Sequence, residues 1–110
     1  MTDKLSELAR GRQARAKAVA RAGGVEAALA AGTLPSRADL TVAEALVLGL
    51  LRQEVRTFLC VLGHGSTEIG EVLRIYHGAR ALRARGVRSE IEASHAAAAL
   101  RWMTGQRAAV

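Results

Sequence analysis

Three sets of residues in this chain are of types, and at spacings, that could do chemistry. The first is Glu90, which opens the segment Glu90-Ile91-Glu92-Ala93-Ser94-His95 and leads into Ala96-Ala97-Ala98-Ala99. Ala is the best helix former, and the preceding Gly86-Val87-Arg88-Ser89 is long enough for a brief strand only. Glu90 therefore falls at a strand-to-helix junction, the edge of an α/β sheet where ligands bind. The same position also suits a plain first-turn acid that complements the helix dipole. The second set is Gly63-His64-Gly65, directly behind an apolar run. A titratable His64 there could meet a ligand or stand in a solvent-facing turn. The third is a pair of basic blocks: Arg10, Arg12, Arg15, Lys17 and Arg21, then Arg74, Arg80, Arg83, Arg85 and Arg88, with no acid inside either. Such blocks attract anions or form solvated helix faces.

Other chemistries find little support. Gly63 and Gly65 begin a G-x-G-x-x-G pattern, but Glu68 stands where the third glycine would be and would repel a pyrophosphate; no P-loop lysine follows either. His64, His77 and His95 lack the spacing of metal ligands. His77 sits near a helix end, and His95 lies on a helix surface. Ser66 and Ser94 have no base in sequence reach, and Cys60 reads as a core filler. Without zinc ligands, interleaved aromatics or a helix-turn-helix, nucleic-acid binding rests on charge alone.

The elements that must position these residues follow from composition and periodicity. The 110 residues suffice for one domain or part of one; half are apolar, but Phe58, Tyr76 and Trp102 are the only aromatics, so Ala, Leu and Val must fill the core. The net charge is +6. No apolar run reaches the roughly 18 residues of a membrane span. A lone cysteine and no signal-peptide core point to the reducing cytoplasm. Residues 2–22 read as one helix, broken at Gly23-Gly24, and residues 25–31 as a second. Residues 1–40 thus form a helical N-terminal extension and linker that docks on a partner or frays. Thr41-Val42-Ala43-Glu44 is a capping box. The helix it opens carries Val42, Ala45, Leu46, Gly49 and Leu50 at helical spacing; Val47, Leu48 and Leu51 widen the apolar surface to nearly all round, which argues burial on more than one side, and Gly49 marks a close contact. Thr57-Phe58-Leu59-Cys60-Val61-Leu62 suits a strand buried on both faces of a parallel sheet. Ile69, Val72, Leu73 and Tyr76 mark an amphipathic helix, and residues 79–85 a looser one. Gly105 stops the Glu90 helix, and Ala108-Ala109-Val110 begins a strand. A chain ending there reads as incomplete.

Two motifs align with a known family. Val61-Leu62-Gly63-His64-Gly65-Ser66-Thr67, behind Thr41-Val42-Ala43-Glu44-Ala45-Leu46-Val47, resembles the opening of thiamine-diphosphate-dependent enzymes. The trihydroxycyclohexanedione hydrolases of inositol breakdown and acetolactate-synthase-like enzymes are the nearest types. The second motif is a Glu followed five residues later by His, then an Ala-rich helix ending in Thr-Gly and a strand, matched by Glu90, His95 and Thr104-Gly105. The resemblance implies an α/β fold. Residues 41–110 would be the N-terminal part of a parallel-sheet pyrimidine-binding domain, with strand-loop-helix followed by Glu-helix-strand. It implies that Glu90 hydrogen-bonds N1′ of the aminopyrimidine, favouring the imino form that deprotonates the thiazolium C2. His64 and Gly65 would lie on the substrate side. The reaction would act on C–C bonds of a carbonyl compound, as a cyclic 1,2-dione hydrolase or a 2-oxo-acid lyase or synthase. Thiamine diphosphate and magnesium would bind only in a complete enzyme. The G-D-G…N motif that holds the metal and diphosphate is missing here, so a diphosphate-binding domain or second subunit is required, within a homo-oligomer. The family's G-Y-A-R is replaced by Ala99-Leu100-Arg101-Trp102. The competing readings are a small basic interaction or nucleic-acid-binding module and a cofactor-less structural half-domain.

Overall fold

Short apolar strands alternate with helices along the second half of the chain, the pattern that builds a parallel sheet with helical crossovers. A computed structural model describes residues 2–110. Among these residues the order is α1 (Thr2–Arg10), α2 (Arg12–Ala22), α3 (Val25–Ala30), α4 (Val42–Arg52), β1 (Thr57–Cys60), α5 (Thr67–Gly78), β2 (Arg83–Gly86), α6 (Glu90–Thr104) and β3 (Ala108–Ala109). The three strands are parallel in the order β2-β1-β3. Thr57 to Cys60 of β1 pair with Arg83 to Gly86, and Thr57 and Phe58 pair with Ala108 and Ala109.

This strand order decides where the helices go. Crossovers between parallel strands are right-handed. The step from β1 to β2 runs one way across the sheet, and the step from β2 to β3 runs back the other way. The two crossover helices, α5 and α6, therefore lie on opposite faces. Side chains alternate along a strand, and β1 follows that rule. Phe58 joins the main core, whereas Leu59, equally buried, lies outside that cluster on the face that α6 approaches.

The main core draws on the N-terminal helices as much as on the sheet. Ala16, Val19, Val25, Ala28 and Leu34 pack with Val47, Leu51, Phe58, Val72, Tyr76 and Leu82. The expectation of a peripheral extension that docks or frays is thereby corrected. The apolar stripe of α2 and α3 is weak in hydropathy because much of it is Ala, yet small side chains let helices pack closely. The single helix expected over 2–22 also breaks, at Gly11. A Cβ added there would lie 2.5 Å from the Arg15 guanidinium, which folds back over the bare backbone.

Four further expectations change. In α4 the buried face is Ala43, Glu44, Val47, Leu48 and Leu51, while Val42 is 87% exposed and Leu46 51%. The stripe read from Val42 thus points outward, nearly half a turn from the buried face, and of the expected apolar surface it is Val47, Leu48 and Leu51 that reach the core. Gly49 marks no close contact, since an added Cβ would meet nothing within 4 Å. Gly49→Ala is accordingly expected to stabilise the chain by about 0.5–1 kcal/mol, seen as a Tm rise of about 3–6 °C in a thermal melt. The strand expected over 57–62 ends at Cys60, leaving Val61 and Leu62 exposed. Residues 79–85 hold no helix: they turn at Arg80 and enter β2. The stop of α5 is a Schellman motif, in which Arg80 N–H donates to His77 O and Ala81 N–H donates to Tyr76 O. Gly23-Gly24 and Glu54-Val55 close α2 and α4 in the same way. The Gly105 stop and the start of β3 lie where the sequence places them. Among the described residues, no helix is long and apolar enough to cross a membrane.

Candidate functional site

The carboxyl ends of parallel strands form the edge where α/β proteins bind ligands, and β1 and β2 finish there side by side. Cys60 is in register with Gly86, and Val87 N–H donates to Cys60 O at 3.0 Å. The chain leaving β1 forms the His64 loop, and the chain leaving β2 reaches Glu90 four residues beyond the strand. Two candidates read from sequence, His64 and Glu90, thus stand on the same sheet edge. Parallel pairing of the strands that precede them brings them there.

The loop is held by its own residues. Ser66 Oγ accepts from Gly63 N–H at 2.8 Å and donates to Gly63 O at 2.9 Å, and Ser66 N–H donates to Gly63 O at 3.1 Å. Gly65 takes a left-handed φ of +93°, which a side chain would resist. This tight turn leaves His64 exposed. Glu90 is the first residue of α6. Ser89 caps that helix, its Oγ accepting from Glu92 N–H at 3.2 Å, and Ser94 Oγ donates to Glu90 O at 2.8 Å. The Glu90 carboxylate is exposed and makes no side-chain hydrogen bond or ion pair among the described residues, so it is free to meet a ligand. Glu92 and His95 are exposed on the same helix. Cys60 is half-buried, and burial pushes its thiol pKa up, which makes it a poor nucleophile. Among the described residues, no three His, Cys, Asp or Glu side chains converge as a metal cluster would require.

The strongest polar constellation lies elsewhere and was missed in the sequence. Glu44, fully buried, receives four donors. Arg15 Nε (2.7 Å) and Tyr76 Oη (2.9 Å) reach its Oε1, while Arg12 Nε (3.2 Å) and Arg15 Nη2 (2.8 Å) reach its Oε2. Arg12 also donates to Thr41 Oγ1 at 3.0 Å and Glu68 Oε1 at 3.1 Å, and Arg15 to Leu8 O at 3.0 Å. Thr41 Oγ1 accepts from Glu44 N–H as well, so one half of the capping box forms while its carboxylate turns inward. Burial acts to raise the Glu44 pKa. The hydrogen bonds from Arg15, Tyr76 and Arg12, with the Arg15 charge, outweigh it and hold the carboxyl below its usual 4.5. No buried side-chain polar atom is left without a partner among the described residues. A closed and fully satisfied cluster ties α1, α2, α4 and α5 together and offers a ligand no access. Its signal was present: Glu44, Val47, Leu48 and Leu51 follow the i, i+3, i+4, i+7 rule, an acid inside an apolar stripe.

No protein-family model, curated protein or solved structure matches the chain.

Proposed function

We propose that the chain is the N-terminal part of the pyrimidine-binding domain of a thiamine-diphosphate-dependent enzyme. That enzyme would act on C–C bonds of a carbonyl compound in the cytoplasm. The observation that supports this most is the placement of Glu90. It begins the helix after β2, with a free carboxylate, on the edge where the Gly63-His64-Gly65 loop leaves the neighbouring parallel strand.

The residues present fit one end of the cofactor only. A free carboxylate at a helix start suits a hydrogen bond to the aminopyrimidine N1′. Magnesium and the diphosphate have no ligand cluster among the described residues, so no step is assigned to them on this chain. They belong to a diphosphate-binding domain or second subunit, in a homo-oligomer. When bound, the cofactor supplies the electron sink for C–C cleavage or ligation. The task of Glu90 is to hold a proton shared with N1′. A partner domain covering the edge would remove water there, and desolvation favours the protonated form of a carboxyl group. His64 and Gly65 border the substrate side, where an imidazole N–H can orient a substrate oxygen. The test is titration calorimetry with thiamine diphosphate and magnesium on the 110-residue chain and on the full-length gene product. Saturable binding is expected for the full-length product only. A full-length product that binds neither would overturn the proposal.

A further inference from the structure

The opposite edge of the sheet carries a second feature, independent of Glu90. An open groove of about 1180 Å³ runs along the amino ends of the strands. Three separate segments wall it: the α4–β1 turn with Glu54 and Arg56, the α5–β2 turn with Arg80 running into the first residue of β2, Arg83, and the end of α6 with the residues after it, Arg101 and Arg107. Five guanidiniums thus converge on one concave surface with a single carboxylate. Glu54 is paired to Arg56 at 2.9 Å. Arg80, Arg83, Arg101 and Arg107 have no acidic partner among the described residues. Like charges gathered in a cleft focus the field and concentrate anions.

Backbone strain marks the same place. The non-glycine residues with left-handed φ among those described are Glu54 (62°) and Arg80 (67°), and both line the groove. Strain of this kind collects at functional sites. The turns it creates are what bring Arg56, Arg80 and Arg83 to the strand starts.

We infer that the groove binds the sugar–phosphate backbone of a single-stranded nucleic acid without sequence preference. Guanidinium forks match phosphate oxygens two at a time. The groove is open and larger than the roughly 300–1,000 Å³ of a small-ligand pocket, which suits a chain-like anion. Its lining holds no Phe, Tyr or Trp on which a base could stack, and its one imidazole, His77, is held through Nδ1 by Ala84 N–H at 3.1 Å, so the contacts are to phosphate and not to sequence.

The test is fluorescence anisotropy of the chain with a labelled oligonucleotide of about 12 nucleotides, within the usual site sizes, across a salt series. Up to five phosphate contacts predict a slope of log K on log salt of about −3.5 for single strands. Replacing the exposed Arg83, Arg101 and Arg107 by Gln is expected to reduce the slope by about 2 and weaken binding at least ~10-fold at low salt. Arg83→Lys, Arg101→Lys and Arg107→Lys together keep the charge and should keep the slope. The control changes three exposed arginines elsewhere, Arg10, Arg21 and Arg37, to Gln and should leave binding within about 2-fold. Equal loss in the control and the groove variant would show general charge attraction and overturn the inference, as would loss of the slope in the Lys variant or no binding by wild type. Displacement by inorganic tripolyphosphate at the same phosphate concentration as unlabelled oligonucleotide would overturn the nucleic-acid assignment.

Discussion

Glu44→Ala is expected to unfold the chain or lower its Tm by at least ~15 °C, the largest stability effect of any single substitution considered. Removing one partner of a buried ion pair costs about 3–5 kcal/mol, because the remaining charge stays buried without compensation. Here one carboxylate compensates the partly covered Arg15 guanidinium and, together with the exposed Glu68, that of Arg12, which is 2% exposed, and it also satisfies the Tyr76 hydroxyl. A domain's total stability is about 5–15 kcal/mol, and each kcal/mol moves the Tm of a domain near this size by about 4–8 °C. Thermal melts by circular dichroism check this. Replacing Arg12, Arg15, Glu44 and Tyr76 together by apolar residues of similar volume should recover most of the loss, since apolar replacement of a whole buried ion cluster is often neutral or better. A quadruple variant no more stable than Glu44→Ala would show that the cluster contributes more than mutual compensation.

The same cluster fixes the pH range of stability. The folded-state pKa of Glu44 lies below its ordinary 4.5, so its contribution is complete above 4.5 and is lost as pH falls through the lower folded value. Tyr76 is shifted the other way: burial, then the charge and hydrogen bond of Glu44, push its pKa well above 10.0. Above pH 10 the unfolded chain gives up that proton while the folded chain keeps it, so stability declines there. Glu44→Gln should flatten the acid limb of a pH–stability profile and weaken the alkaline one.

How legible was all this in the sequence? The parallel α/β class was, because a strand-length apolar run followed by glycines and an amphipathic helix has few other uses. So were the Glu90 helix, its Gly105 stop and β3. Element ends were hidden wherever the structure places a residue against its own preference. No glycine marks position 80, so the Schellman stop was invisible; residues 79–85 were read as helix and the brief strand before Glu90 was placed at Gly86 to Ser89, three residues late, since Arg83-Ala84-Arg85-Gly86 has no strand-like composition. In α4, reading Glu44 as a cap excluded it from the buried stripe. The stripe then had to be drawn through Val42, which is exposed. The Ala-rich α2 and α3 carry too little hydropathy to announce a core role. The convergence of Arg56, Arg80, Arg83, Arg101 and Arg107 could not be read either, since it depends on three turns and a strand order.

Glu90→Gln is expected to lower turnover of the full-length gene product by about 10²–10⁴-fold, the usual worth of a positioned proton-transfer group. The fold should survive. The side chain is exposed, and neither its carboxylate nor its neighbours depend on it for a hydrogen bond: Ser89 caps the helix and Ser94 bonds the Glu90 carbonyl, not the side chain. A change of Tm below about 2 °C separates this effect from that of Glu44, since exposed substitutions stay within about 0.5 kcal/mol. Gln keeps the size and one acceptor oxygen but cannot share a proton, so cofactor binding should weaken far less than turnover. Glu92→Gln serves as the control. It lies on the same exposed first turn and carries the same dipole benefit, but falls outside the motif, so its turnover should stay within about 3-fold of wild type. Equal losses for Glu90→Gln and Glu92→Gln would reduce Glu90 to a first-turn acid and remove the main support for a thiamine-diphosphate site. A loss confined to Glu90, at unchanged Tm, is the pattern of a carboxyl group that shares a proton in the reaction, and cofactor binding kept in the same variant ties that role to the proposed site.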